Sequence, residues 1–173
     1  MELIDICPLP QWEDLENDIF NRFHFQGSVF NPEGIRITQV KNWSNRLCPA
    51  IKSTEKGQSY ICSVAHMNMN AMVRNSREPA VEECDAGFTK VVVPIYVDDE
   101  FLGVAGGCGL ILEGDELDSF AVTKIAGLPE DKVETLSQDL ATISQDRLDE
   151  AVTFIQDQVA QRIAAYRETT AGR

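Results

Sequence analysis

The first clear periodicity begins at Trp12. Trp12, Leu15, Ile19 and Phe23 recur every three or four residues with Glu13, Asp14, Glu16 and Asp18 between them, which predicts an amphipathic helix with an acidic outer face. Alternation then replaces helical spacing. Phe25 to Phe30 and Ile35 to Val40 read as two strands joined by Asn31-Pro32-Glu33-Gly34, where proline presets the turn and glycine supplies a positive φ, so a hairpin is expected. Asn42 to Ile51 is short and mixed and predicts a helical turn carrying Trp43, Leu47 and Cys48. From Gln58 to about Asn75 helical spacing returns, with Ile61, Ala65, Met69 and Met72 on one stripe and Cys62 and His66 beside it, until Arg77-Glu78-Pro79 stops the helix.

Lys90 to Val97 is apolar almost throughout, as a strand covered on both faces would be, although Pro94 asks for an edge or a bulge. After Asp98-Asp99-Glu100 the run Phe101 to Leu112 separates Leu102, Val104, Cys108, Leu110 and Leu112 from Gly103, Ala105, Gly107 and Gly109. A strand stripped of side chains on one face admits a close neighbour, either a packed helix or a ligand. From Pro129 onward Leu136, Leu140 and Ile143 form a short helical stripe, and Leu148, Val152, Ile155, Val159, Ile163 and Tyr166 a longer one. This order of elements predicts an α+β protein, a central antiparallel sheet with helices around it. One domain spanning 1–173 is expected, with a core over about 10–128 and C-terminal helices over about 129–168.

Composition narrows the function. Hydrophobic residues make up 43% of the 173 and charged residues 25%, an ordinary globular balance, but the formal net charge is -13, which repels phosphate backbones and argues against nucleic acid as a partner. No apolar run approaches a membrane span, and the opening MELIDICPLPQWEDLE is acidic where a signal peptide is basic and then apolar, so a cytoplasmic protein with no membrane partner is expected. In a reducing compartment an odd count of five cysteines reads as thiols or metal ligands rather than disulfides.

Cys48, Cys62, Cys84 and Cys108 fall in four different predicted elements, each where the local pattern turns the side chain inward, while Cys7 lies apart near the start. None forms a CxxC pair, so only the fold could assemble them into one site. Scattered buried cysteines are by default small hydrophobes. Converging thiolates, however, would suit zinc or an iron–sulfur cluster, which makes these four the candidate metal ligands and those two centres the candidate cofactors. His66, four residues after Cys62 on a helix, is the candidate for a fourth position if only three thiols ligate; otherwise its ring meets a backbone carbonyl. Asp85 could hydrogen-bond a hydroxyl ligand or cap its own turn, and Phe88, like Tyr96, Phe101 and the methionines Met67, Met69 and Met72, could form a ligand wall or plain core. No Walker loop, GxSxG or HExxH occurs, and Cys62 with His66 is the sole thiol–base pairing in sequence, so an enzyme is not expected.

The succession RLCPAIKST, YICSVAH and ECDAGFTKVVVPIYVDDEFLGVAGGCG resembles the PocR-type bacterial sensory domain, a variant of the PAS-like fold, over about residues 10–165. The resemblance rests on Cys84, Ala86, Gly87, Pro94, Ile95, Leu102, Gly103, Gly106 and Gly107, and on the hairpin containing Asn31-Pro32-Glu33-Gly34. It implies a PAS-like antiparallel sheet with flanking helices that senses small organic molecules such as diols. Family cysteines match Cys48, Cys62 and Cys84, and where the family ends its glycine-rich strand in Gly-Gln this chain reads Gly107-Cys108-Gly109. The expected ligand-binding set is thus Cys48, Cys62, Cys84, Asp85, Phe88 and Gly107. The expectation is a stand-alone sensor that reports to a separate signalling protein, or to a second copy through the C-terminal helix. The alternative is a non-catalytic interaction module working through that helix alone.

Overall fold

The computed structural model describes residues 1–172. A short helix α1 (Leu3–Ile6) leads into α2 (Leu9–Phe23), which buries Trp12, Leu15, Ile19 and Phe23 as their spacing requires. His24 closes α2 in the left-handed region, at φ 65°, and its N–H donates to the Phe20 carbonyl at 2.8 Å. Strand β1 (Gln26–Phe30) follows, and then the expected turn, in which Gly34, at φ 78°, donates its N–H to the Asn31 carbonyl at 3.0 Å.

The second strand of that hairpin does not form. From Ile35 to Val40 the ladder is reduced to one bridge between Phe30 and Arg36. The cause lies in α2, where Glu16, expected on the acidic outer face, is completely buried. Its carboxylate accepts from Arg36 at 2.6 Å, from the Val29 N–H at 2.8 Å and from the Thr38 hydroxyl. Burial raises the pKa of Glu16, opposed by the hydrogen bonds from Arg36 and Thr38. A buried carboxylate needs such partners, and satisfying it draws residues 36–38 onto α2 and off the sheet.

The helical wall comes next: α3 (Leu47–Lys52), α4 (Glu55–Gly57), a π-helical turn over Gln58–Ser63, and α5 (Val64–Ser76). The regular helix expected from Gln58 is thus widened through its first six residues, which include Cys62. It stops where expected, at Arg77 with φ 62°. Strand β2 (Ala80–Glu83) has no apolar pattern of its own, and its side chains are mostly exposed. β3 (Thr89–Val97) and β4 (Glu100–Leu112) complete an antiparallel sheet in the order β1-β4-β3-β2. β2 reaches along β3 only as far as Val92, so Pro94 lies on an open flank where its missing N–H costs no ladder bond.

After β4 come α6 (Ser119–Ala121), a second π-helical turn (Val122–Ala126) and α7 (Glu130–Leu136). The stripe Leu136, Leu140, Ile143 is not one helix. α7 ends at Leu136, and Ile143 belongs to β5 (Thr142–Ile143), which pairs parallel with the end of β4. The 27-residue α8 (Gln145–Ala171) then lies on β3 and β4, burying Leu148, Ala151, Ile155 and Val159 against the core, with Ile163 and Tyr166 packed partly beneath it. The stripe offered by the sequence to a partner or a second copy is therefore spent within the chain, because the sheet face beneath it would otherwise be bare.

The bare face of β4 receives a helix. A Cβ on Gly107 would stand 2.8 Å from the Phe25 Cβ and 3.4 Å from the Ile19 Cγ2, and one on Gly27 would stand 2.6 Å from the Glu16 Cα. The sheet register runs Thr89 opposite Leu110 and Lys90 opposite Cys108, skipping Gly109. That bulge turns Leu110 into the α2–α8 core while Cys108 faces the other way, so the two do not share a face as alternation predicts. The whole is α+β and PAS-like, with α2 and α8 on one side of the sheet and α3 to α5 on the other.

Candidate functional site

Between the sheet and the α3–α5 wall lies a cavity of about 250 Å³. Its floor is a cross-strand row, Gln26, Cys108 and Lys90, contributed by β1, β4 and β3 in register, with Ser28 and Phe30 farther along β1. α3 contributes Cys48, Ile51 and Lys52, the π-helical turn Ile61 and Cys62, and α5 His66. The turn after β2 supplies Cys84, Ala86 and Phe88, and the Asn31–Gly34 turn closes over His66, whose ring a Cβ on Gly34 would meet at 3.5 Å.

All four cysteines singled out from the sequence reach this cavity, although they come from α3, the π-helical turn, the post-β2 turn and β4. Cys7 does not; it is buried in the α2–α8 core. The turn at Cys84 is held by its own backbone, Gly87 N–H donating to the Cys84 carbonyl at 2.8 Å and Cys84 N–H to that of Phe88 at 3.0 Å. Asn45 fixes Cys48 from both sides, accepting from its N–H at 2.7 Å and approaching its Sγ at 3.2 Å.

Two members of the expected ligand-binding set lie elsewhere. Asp85 is exposed in the turn after Cys84 and lines no part of the cavity, because the turn points Cys84 and Phe88 inward and leaves the intervening carboxylate in water. Gly107 belongs to the opposite face, against Phe25 and Ile19. Among the wall candidates, Phe88 and Met67 line the cavity, Met69 packs with Val73, Val92 and Val104, and Met72 is exposed. Tyr96 and Phe101 stack on each other with centroids 5.3 Å apart, outside it.

Burial holds the Cys48, Cys62 and Cys84 thiols protonated at neutral pH. Burial pushes the Cys48 thiol well up, helped by Cys108 and opposed by Asn45; burial with Cys108 pushes Cys62 to about 11; burial raises Cys84. All four line the same cavity. Among the described residues, however, no group of three or more His, Cys, Asp or Glu side chains is arranged to hold a metal ion. A zinc or iron–sulfur site needs converged thiolates at bonding distance, so Cys48, Cys62, Cys84 and Cys108 as arranged line a cavity without forming a ligand set, and His66 does not complete one.

His66 departs most from expectation. It is buried, and neither ring nitrogen has a hydrogen-bond partner, so the backbone carbonyl expected for it is not there. Its ring stacks on Phe30 with centroids 3.7 Å apart. Burial, with Lys90 and Lys52 nearby, pushes its pKa down to about 3, which keeps the imidazole neutral. Lys90 did not stand out in the apolar run of β3, yet it is the one charged residue from Lys90 to Val97 and that is the signal it leaves in the sequence. Gln26, Ser28 and Trp43 leave none, because their convergence depends on the sheet register and on loop closure.

Among the described residues no helix is long and apolar enough to cross a membrane. Neither a curated protein nor a solved structure gives a significant match. The family model of the sensory domain found in PocR matches residues 5–165, nearly the whole chain with its sheet, its cavity and all four inward-facing cysteines, and the protein belongs to that family.

Proposed function

We propose that this sensory domain binds a small organic molecule in the cavity between the sheet and the α3–α5 wall, and that occupancy is reported to a signalling partner. The observation that carries this is His66: a buried imidazole with two unpartnered nitrogens beside a hollow is a hydrogen-bonding group held ready for something absent from the chain. A hollow of about 250 Å³ suits a small molecule. Ile51, Ile61, Phe88 and Phe30 offer apolar contact, while Gln26 and Ser28 offer polar groups on the floor. The reading assigns no chemical step, since a neutral imidazole and protonated thiols make no thiolate–imidazolium pair. Five unpaired thiols suit the cytoplasm.

Thermal unfolding with a panel of small alcohols, diols, acids and amides tests it. A ligand that binds only the folded state must raise the midpoint with concentration. No shift with any compound at saturation would overturn the reading. Zinc or iron near one equivalent in protein purified without oxygen would replace it with a metal-centred one, and the four thiols would then have to close on the ion.

A further inference from the structure

We propose, resting on the organic-ligand reading above, that the ligand is an anion, a small organic acid whose carboxylate is taken by Lys90. Lys90 stands at the β3 end of the row that floors the cavity, beyond Cys108 and Gln26, with 7% of its surface exposed. Among the described residues its ammonium has no ion-pair partner. The nearest compensation is the Phe30 ring, whose centroid is 5.8 Å from Nζ. Glu82 lies opposite Lys90 in the β2 register, but it is exposed and does not pair with it. A cation set on the floor of a cavity without a countercharge is ready to take an anion, and a ring face at that distance does not replace one.

The rest of the cavity repeats the sign. Lys52 joins the wall opposite the sheet, Nζ 5.8 Å from the Trp43 ring centroid, and the lining includes one acid, Glu33, which is exposed at the rim. In a chain of net charge -13 this cavity is therefore positive inside. A neutral diol would offer the Lys90 ammonium a hydroxyl acceptor but no countercharge. A carboxylate with a short apolar tail would match Lys90 with its head, the aliphatic and aromatic wall with its tail, and could accept or share a proton-donating contact with neutral His66.

Calorimetric titration of the full chain with hexanoate, hexanamide, hexanol and hexanediol isolates the charge, since the four differ chiefly in their head group. Hexanoate should bind about tenfold or more tightly than the neutral three, the worth of one charge-assisted hydrogen bond. Lys90→Met should abolish that preference and Lys90→Arg should retain it. If Lys90→Met fails to fold, Lys90→Arg and the acid-against-amide ratio in the unaltered protein still decide. Neutral compounds binding as tightly as hexanoate would overturn the charge assignment and leave the cavity reading standing; no binding by any of the four would overturn both.

Discussion

A single imidazole shows how the site is held open at a cost to the fold. His66 is buried with both ring nitrogens unpaired, a polar ring whose lost solvation costs about 1–3 kcal/mol. Its pKa near 3 lies below the ordinary histidine value, so the unfolded chain takes up a proton first as pH falls. The sign follows: this residue's contribution is intact above about pH 6.5 and is lost as pH drops toward 3, at up to about 1.4 kcal/mol per pH unit. His66→Phe keeps the stacking on Phe30 and removes both effects. We expect the ligand-free variant to be more stable by about 1–3 kcal/mol at pH 7 and to lose less on acidification, measured by urea unfolding between pH 4 and 7. Equal stability and an unchanged acid slope would mean that the nitrogens are satisfied in solution.

Among the elements, β4 decides most, through one skipped residue. Gly109 has φ 105°, and a Cβ there would stand 2.8 Å from that of Ser44, whose hydroxyl donates to the Cys108 carbonyl at 3.1 Å. Gly114 shares the positive φ, at 94°, but opens onto empty space. Gly109→Ala should therefore destabilise by about 1–3 kcal/mol more than Gly114→Ala, the excess being the steric cost of closing the bulge. Equal losses in chemical denaturation would reduce the effect to backbone strain alone. The same bulge shows what the sequence can reveal. Period and turn chemistry suffice for α2, β1, β3, β4 and α8, because each buries a face whose spacing is written in its own residues. Ile35 to Val40 alternates as a strand should, yet a buried Glu16 two elements away claims its Arg36 and Thr38, a tertiary demand with no local trace. β2, written Ala-Val-Glu-Glu, is a strand only because β3 offers an edge. The four cysteines could be assigned to the cavity from their inward positions, whereas Lys90 is hidden in a run that looks like core, and Gly107 and Cys108 differ in role through register alone.

At the scale of the molecule, the sheet separates two jobs: one face carries the cavity, the other carries α2 and α8. An α8 docked as an afterthought could be removed without harm, and the domain would then be an interaction module with a detachable helix. The burial says otherwise. Leu148, Ile155 and Val159 on the inner face of α8 are 0–4% exposed, about 4.5–9 kcal/mol of apolar burial at about 1.5–3 kcal/mol per side chain. Polar ties add to it, Arg162 donating to the Gln11 carbonyl at 2.9 Å and Arg147 to that of Arg22 at 2.5 Å. A domain's whole stability is about 5–15 kcal/mol, so a chain ended at Ser144 should lose its cooperative urea transition and its near-ultraviolet circular dichroism together. A truncated chain that unfolds cooperatively near the full-length midpoint would return α8 to the role of a free docking helix. The expected collapse instead makes α8 part of the sensor. The strands whose far side lines the cavity, β3 and β4, are the ones on which it rests, so under the proposed binding a shift in Lys90 or Cys108 would have one layer of backbone to cross before it reached the helix.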